Sequence, residues 1–448
     1  MQADRITDYP ATVTPRALVK GQPLRVTVMV SMFPVLSETF VLDQVMSLIE
    51  QGHQVRIIAG STSGEKSQHE EIARYGLAQR ARYLRRKPQT RRQRLTMLAR
   101  AIQRGGARTA RVFASFRRAR KRTGELGELG GLAATMLALA EAPPPSVILC
   151  HFGPNGSLAI RALEALGWSV PVVTMFHGFD LSRLVKEHGP RLYDDLFRHG
   201  RLFMPACDAF ADRLQLLGCP ASQIMVQRMC VNLAKLDAAV ISLDEAGPYP
   251  EAFTFVTVGR LVSKKGMVNT LRAFAQAFGH LSPNEVRLRI VGDGPLRKEL
   301  DAIAREAGVA DKVEFLGALI RSDVLAVVKA ADVVVQASMT APDGDMEASP
   351  VVISEAMALH KPVIGTHHSG IPELIIDGIT GTLVAEDGEG LAGAMNWMMV
   401  NRSAAARMGE AGRRRLEAGL TAEYWNARLE KRLLDIAFPE KANAYSPS

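Results

Sequence analysis

Nowhere does this sequence hold an apolar run of the roughly 20 residues that crossing a bilayer requires, so no membrane-spanning helix is expected. Cysteine is scarce. Cys150, Cys207, Cys219 and Cys230 match neither a zinc-ligand spacing nor a redox pair. Each lies in or beside an apolar stretch, which reads as buried, reduced thiols of a cytoplasmic protein. The N-terminal segment, residues 1–23, carries Asp4, Arg5, Asp8 and Arg16 without an apolar centre. It reads as a flexible lead-in rather than a signal peptide. Acidic residues are missing from one region: Arg74 to Arg122 holds eighteen Arg or Lys and no Asp or Glu. The chain's net charge is +9, so the remainder sits near −9, and the basicity belongs to a helical insert at about 74–122.

What is present fits a folded chain. The 448 residues are 47% hydrophobic and 23% charged, enough for two large cores and unlike a disordered polymer. Short apolar segments alternate with amphipathic ones. Leu24–Val30, Gln54–Ala59, Ser146–Cys150, Pro171–Phe176, Arg201–Pro205 and Gln223–Gln227 read as strands. Residues 242–250 lack periodicity and read as a linker. The alternation then restarts at Phe253–Val258 and continues through Leu288–Val291, Val313–Leu316, Asp332–Gln336 and Pro362–Gly365. The expected fold is α/β, with two doubly wound Rossmann-like domains, 24–241 and 251–415, facing a central cleft. A helix over 416–438 is expected to cross back to the first domain, and 439–448 to be a disordered tail. No repeat of fixed period is present.

Three segments carry chemistry. Glu347-Ala-Ser-Pro-Val-Val-Ile-Ser-Glu355 follows a strand, with Ser349 placed as an N-cap and Pro350 as the first helical residue. Free N–H groups at such a helix start, near Val351 and Val352, form an anion site. Glu347 precedes the helix and Glu355 lies inside it, so the two carboxylates can reach different hydroxyls of one ligand. The bland alternative is a capping Glu347 and a surface Glu355. Val258-Gly-Arg260-Leu-Val-Ser-Lys-Lys265-Gly266 places two cations between a strand and a helix, where acids are usual. An anion between them and the helix accounts for that inversion. Val291-Gly-Asp-Gly-Pro295 is βα turn chemistry. Asp343-Gly-Asp345 looks like a metal pair, yet two Asp in a glycine-containing loop are common. No metal site and no cofactor are expected.

Together these segments resemble the retaining glycosyltransferases of family 4, which have the GT-B fold, from Leu24 to about Trp425. The resemblance implies that Arg260 and Lys265 neutralise a donor diphosphate, that Glu355 holds ribose hydroxyls and that Glu347 contacts the donor sugar. It adds Ser349, Val351, Val352 and Gly317 to the donor site. Gly370-Ile-Pro-Glu373 and Asp377-Gly-Ile-Thr-Gly381 also look like loops of the family. Ala348 departs from the usual Gly, and Cys230-Val-Asn232 from the usual Gly-Val-Asp. In the first half, Phe33-Pro-Val-Leu-Ser-Glu-Thr-Phe40, Cys150-His-Phe-Gly153 and His177-Gly-Phe-Asp180 are similar to the colanic-acid-type exopolysaccharide branch. Ser37, Glu38, His151, His177 and Asp180 are the expected acceptor contacts, although strand-end histidines are also common as structural residues.

The implied reaction is metal-independent, front-face transfer with retention, from a UDP- or GDP-sugar to a saccharide acceptor, expected to be a lipid-diphosphate-linked exopolysaccharide intermediate. His177, Glu347, Arg260 and Lys265 are its expected catalytic residues. In the insert, Leu95, Leu98, Ile102, Val112, Phe113 and Phe116 recur near helical spacing among Arg91, Arg92, Arg94, Arg100, Arg104, Arg108 and Arg111. That pattern suits a helix lying on an anionic membrane face, or a helix packed on the first domain with a solvated Arg face. Two rival functions are a nucleotide-sugar epimerase and a nucleic-acid-binding protein. The insert has few aromatics and no RNA-binding signature, so a nucleic-acid partner is not expected.

Overall fold

The computed structural model describes residues 23–35, 38–62, 70–84, 91–123, 129–241 and 251–439, apart from some side chains in 91–123. Two six-stranded parallel sheets organise these residues. The first contains β1 (Arg25–Met32), β2 (Gln54–Ser61), β3 (Ala81–Tyr83), β4 (Val147–His151), β5 (Val172–Phe176) and β6 (Leu202–Pro205), in the order β3-β2-β1-β4-β5-β6. The second contains β7 (Phe253–Val258), β8 (Val286–Val291), β9 (Val313–Gly317), β10 (Val333–Gln336), β11 (Val363–Thr366) and β12 (Gly381–Val384), in the order β12-β11-β10-β7-β8-β9. Both sheets reverse winding direction once, between β1 and β4 and between β7 and β10. A ligand in a doubly wound fold binds beyond the strand C-termini at that reversal.

The strands read as continuous apolar runs because helices cover both faces. Every residue of β4, β5 and β10 is buried. Register places Val28 beside both Ile57 and Leu149. The helix Thr39–Glu50 buries Val41, Leu42, Val45 and Met46 in the same core. All four cysteines are buried free thiols.

The domain boundary differs from the sequence expectation. One compact unit holds the described residues up to Gln227 together with Asn426 onward; the other runs from Arg228 to Trp425. Residues 228–241 therefore belong with the second sheet. Leu236 enters its core, and Arg413 clamps Asp237 through two hydrogen bonds of 2.7 and 2.8 Å. Asn232, where the family usually has Asp, accepts the Lys235 N–H at 2.8 Å and so caps the helix Leu233–Ile241. The second crossing lies within the helix Ala422–Ala437. That helix ends on the first core, through Leu429 and Leu433 and a 3.0 Å contact between Glu430 and His53. The expected lead-in, linker and tail fall almost wholly outside the described residues.

The basic insert is also not one unit. Its first part supplies edge strand β3, and Leu77 is buried in the core. The long helix Arg91–Thr123 kinks at Gly106. Val112 and Phe113, whose spacing suited either a membrane face or packing on the first domain, are buried in protein. Thr109 on the same side donates to Ala165 O at 3.0 Å, and Arg104 donates to Ala140 O at 2.6 Å. Among the described side chains of this helix, the large apolar ones left outside are in the first half: Leu95 is 66% exposed and Ile102 39%. The side chains of Arg91, Arg94 and Phe116 lie outside the described set. No described helix is long and apolar enough to cross a membrane.

Candidate active site

In the second unit, the loops after β7 and β10 are built against each other. The β7 loop runs through Gly259 and Arg260 into a short 3-10 turn, Ser263–Lys265, and then the helix Met267–Phe278. Gly266 joins turn to helix at φ +63°, and an added Cβ would lie 1.7 Å from Ala337 O. Only glycine permits that approach of the two loops. Met339 then donates its N–H to Lys264 O at 3.0 Å, and Thr366 holds Ser338 O at 2.5 Å. On the other side Leu261 N donates to Asp293 O, and Gly292 N to Gly317 O. The C-terminal ends of β7, β8, β9 and β10 thus form one rim.

Two lysines cross this rim to the 343–347 loop. Lys264 donates to Asp345 Oδ1 at 3.1 Å and to Met346 O at 3.3 Å. The Asp343/Asp345 segment is therefore tied to a lysine, and Asp343 Oδ1 accepts the N–H of Asp345. Lys265 places its ammonium 2.5 Å from Glu347 Oε2. Burial opposes ionisation of Glu347, but Lys265, with Lys264 behind it, outweighs burial and holds the carboxyl at about 2. Arg260 is exposed, and among the described residues it has no carboxylate within ion-pairing distance. Its guanidinium is available to an anion.

The helix Val351–Ala358 begins beside Glu347. Pro350 is its N-cap, and Ser349, expected as the cap, makes no capping bond. Proline has no N–H and a fixed φ, so it ends the extended segment one residue later than a serine cap would. The first N–H groups, those of Val351 and Val352, have no acceptor within the helix. Glu355, one turn in, is buried, with Arg321 at 3.5 Å. Gly317 ends β9 at φ +70°. Ala348 is fully buried, and its carbonyl accepts the Gly370 N–H.

Sequence reading missed the support behind Glu347. His368 is fully buried and accepts the Glu347 N–H through Nε2 at 3.1 Å. Its Nδ1 must then carry the proton, and it lies 3.1 Å from Glu386. Glu386 in turn accepts the N–H of Thr340. Lys264 was inconspicuous beside Lys265, and Arg321 gave no signal in sequence.

The first unit holds a different cluster at the ends of β4 and β5. His151 Nδ1 and His177 Nε2 are 3.1 Å apart, with the rings nearly parallel. Phe40 and Phe152 lie 4.6 and 4.7 Å from the His177 ring. Burial drives the His151 pKa down to about 3, and burial followed by the His151 neighbour lowers that of His177. Both rings are neutral and share one N–H···N bond. His151 Nε2 is buried without a partner among the described residues. Phe152 adopts φ +71°, an uncommon conformation for a bulky residue that concentrates at functional sites. Asp180 does not reach outward. It is fully buried, and its carboxylate accepts the N–H groups of Gly153, His177 and Gly178 at 3.0–3.1 Å. Its place is behind the histidines, fixing both loops. Glu38 is half-buried at the start of the helix Thr39–Glu50, and Ser37 lies outside the described residues.

Comparisons with known proteins agree with this architecture. Residues 243–415 match the glycosyl transferases group 1 family, and residues 37–228 match the glycosyl transferase 4-like domain. The chain is 35% identical over 374 residues to the putative colanic acid biosynthesis glycosyltransferase WcaL of Salmonella typhimurium, covering 82% of this chain and 89% of that protein. It is 32% identical over 386 residues to the amylovoran biosynthesis glycosyltransferase AmsK of Erwinia amylovora, covering 82% and 89%. Among solved structures, Anabaena HepE in complex with UDP-glucose is similar in fold, with a TM-score of 0.67 at 18% identity, covering 91% of this chain and 99% of that one.

Proposed function

The chain belongs to the group 1, family 4-like glycosyltransferases of the GT-B fold, and from that premise we propose that it moves a sugar from a nucleoside diphosphate donor to a saccharide acceptor in exopolysaccharide assembly. The observation that carries the donor reading is the rim of β7 and β10. A half-buried Lys265–Glu347 pair, an uncommitted Arg260 and the start of a helix all lie on loops meeting at the winding reversal. Lys265 can exchange the carboxylate for a phosphate oxygen, and Arg260 can grip a second one with its planar fork. Glu347, held ionised, is then an acceptor for a donor-sugar hydroxyl. The names of WcaL and AmsK support the exopolysaccharide reading. HepE was solved with UDP-glucose, while a mycobacterial relative is named as GDP-mannose-dependent. A thermal-shift and turnover screen of UDP- and GDP-sugars tests the proposal. Stabilisation by one nucleotide series is expected; indifference to every nucleoside diphosphate and its sugars would refute the donor site.

The chemistry proposed is transfer with retention. The acceptor oxygen attacks the anomeric carbon on the face that the diphosphate leaves, and the departing phosphate oxygen takes the acceptor's proton. Arg260, Lys265 and the helix N-terminus stabilise the charge growing on that oxygen. An inverted anomeric product would rule this out.

Charge balance also leads to a prediction about metals. Two cations and a helix start already face the diphosphate, and Lys264 occupies Asp345. Transfer is expected to persist in excess EDTA without added Mg²⁺ or Mn²⁺. Abolition by the chelator, with recovery on adding metal, would contradict it.

The acceptor we propose is lipid-linked, reached from the inner face of the membrane. The support is the first half of the helix Arg91–Thr123, where exposed Leu95 and Ile102 stand among exposed Arg92 and Arg100. Such a face suits an anionic interface. The protein is expected to float with vesicles of anionic lipid at low salt and to be released at high salt, since screening shortens to about 3 Å at 1 M. Leu95→Gln with Ile102→Gln should weaken flotation, whereas Val112 and Phe113, buried in protein, cannot contribute. Failure of the wild-type protein to float at low salt would leave the helix a purely structural one.

A further inference from the structure

A cavity of about 750 Å³ opens in the first unit, away from the histidine cluster. His151 and His177 lie at the strand C-termini. The cavity lies at the other edge, where strands begin: Arg201 directly precedes β6 and donates its N–H to Val172 O, at the start of β5. Three separate elements each send one guanidinium to it. Arg198 comes from the helix Asp194–His199, Arg201 from the strand entry and Arg432 from the helix Ala422–Ala437.

All three are exposed, and none has a carboxylate within ion-pairing distance among the described residues. One acid lines the cavity, Asp194. Its neighbour Asp195 is committed elsewhere, to Arg161 at 3.2 Å and His199 at 3.4 Å. Many surface arginines in this chain find a partner: Arg183 pairs with Glu187 and Arg297 with Asp301. Three unpaired cations around one concavity repel one another, and the low-dielectric walls focus their field on whatever enters. Phe197, Leu217 and Ile436 supply those walls. The cavity also carries neutral polar groups. Gln223 keeps its Oε1 buried without a partner, and Ser222 lies on the rim.

We propose that this cavity binds a phosphate ester that also bears hydroxyl groups. The guanidinium forks take the phosphate oxygens, as Arg does in bidentate recognition. A ligand hydroxyl meets the exposed Ser222, and the carbon skeleton rests on the apolar wall. Two sources present this chemistry, a soluble polyol or sugar phosphate and the glycerophosphate headgroup of a lipid.

Calorimetric titration of glycerol 1-phosphate into the full chain tests the site. The chain should carry Arg260→Gln and Lys265→Gln, so that the donor loops do not compete for phosphate. Saturable binding is expected, weakened roughly tenfold or more by adding Arg201→Gln and Arg432→Gln. Arg201→Lys with Arg432→Lys keeps the charge but loses the forks, and should fall between. A parallel sedimentation with phosphatidylglycerol vesicles separates the sources. Binding to the free ester alone identifies a soluble ligand; binding to vesicles alone identifies the headgroup. Either must depend on Arg201 and Arg432. Binding indifferent to that pair, or absent in both arms, overturns the proposal. Melting curves verify that the variants stay folded, which exposed side chains favour. Because the donor loops are disabled throughout, the result stands apart from the outcome of the nucleotide-sugar screen.

Discussion

Arg260→Ala is expected to lower sugar transfer by about tenfold or more while leaving the melting temperature unchanged. The guanidinium is exposed and unpaired, so the folded protein loses no internal contact with it. A charge-assisted bond to a diphosphate is worth about 1.5–3 kcal/mol, which corresponds to roughly tenfold to a hundredfold in rate if it is made in the transition state. Lys265→Ala should cost at least as much activity and should also change stability. Removing it leaves Glu347 half-buried with only Lys264 nearby, so its carboxyl rises from about 2 towards the ordinary 4.5. The sign follows from the depressed value. The pair stabilises the fold fully above the unfolded carboxyl's range, and that contribution is lost as pH falls from 4.5 towards 2. Lys265→Ala should therefore flatten this acid limb, and Arg260→Ala should not. Steady-state rates at saturating donor, together with melts across that window, separate the two roles. Near-normal turnover in either variant would remove it from the donor site.

Why these two cations were legible and their surroundings were not is a matter of sequence distance. A strand, a glycine, two bases and a helix lie within a dozen residues, and the local pattern is enough to place them. The partner carboxylate lies some eighty residues on, and only the reversal between β7 and β10 brings it near. His368 could not be read at all, because a buried imidazole that accepts a backbone N–H leaves no periodicity. Strand β3 hid in an arginine-rich stretch because an edge strand three residues long needs little apolar sequence. Amphipathic spacing in the basic helix was real, but spacing does not distinguish a protein surface from a lipid one. Helices beneath Val112 and Phe113 decided it. The aperiodic composition at 242–250 suggested a linker there, in residues outside the described set. The chain had already changed units at Gln227, where Arg228 turns to Glu373 and Trp425.

The histidine pair allows a test that separates position from titration. His177→Ala is expected to reduce kcat/KM by roughly tenfold to a hundredfold, the range for losing one aligned hydrogen bond to a reacting molecule. His151 should act through its neighbour. His151→Leu removes the 3.1 Å contact to His177 Nε2, so the ring loses one of the contacts that orient it. His151→Asn returns an amide close to where Nδ1 stood and should recover much of the activity. Both rings are neutral because burial lowers their pKa values, that of His151 from 6.5 to about 3. Below 6.5 the unfolded chain therefore binds protons that the folded chain refuses. Stability from this cluster is full above 6.5 and declines as pH falls towards 3. Melts of the wild type should steepen across that window, and His151→Leu should flatten the trend. The rate itself should show no acid limb near 6.5 arising from His177. If kcat/KM does fall there, and the fall vanishes in His177→Gln, the ring is a titrating acid or base, and the neutral, orienting role assigned to it is wrong.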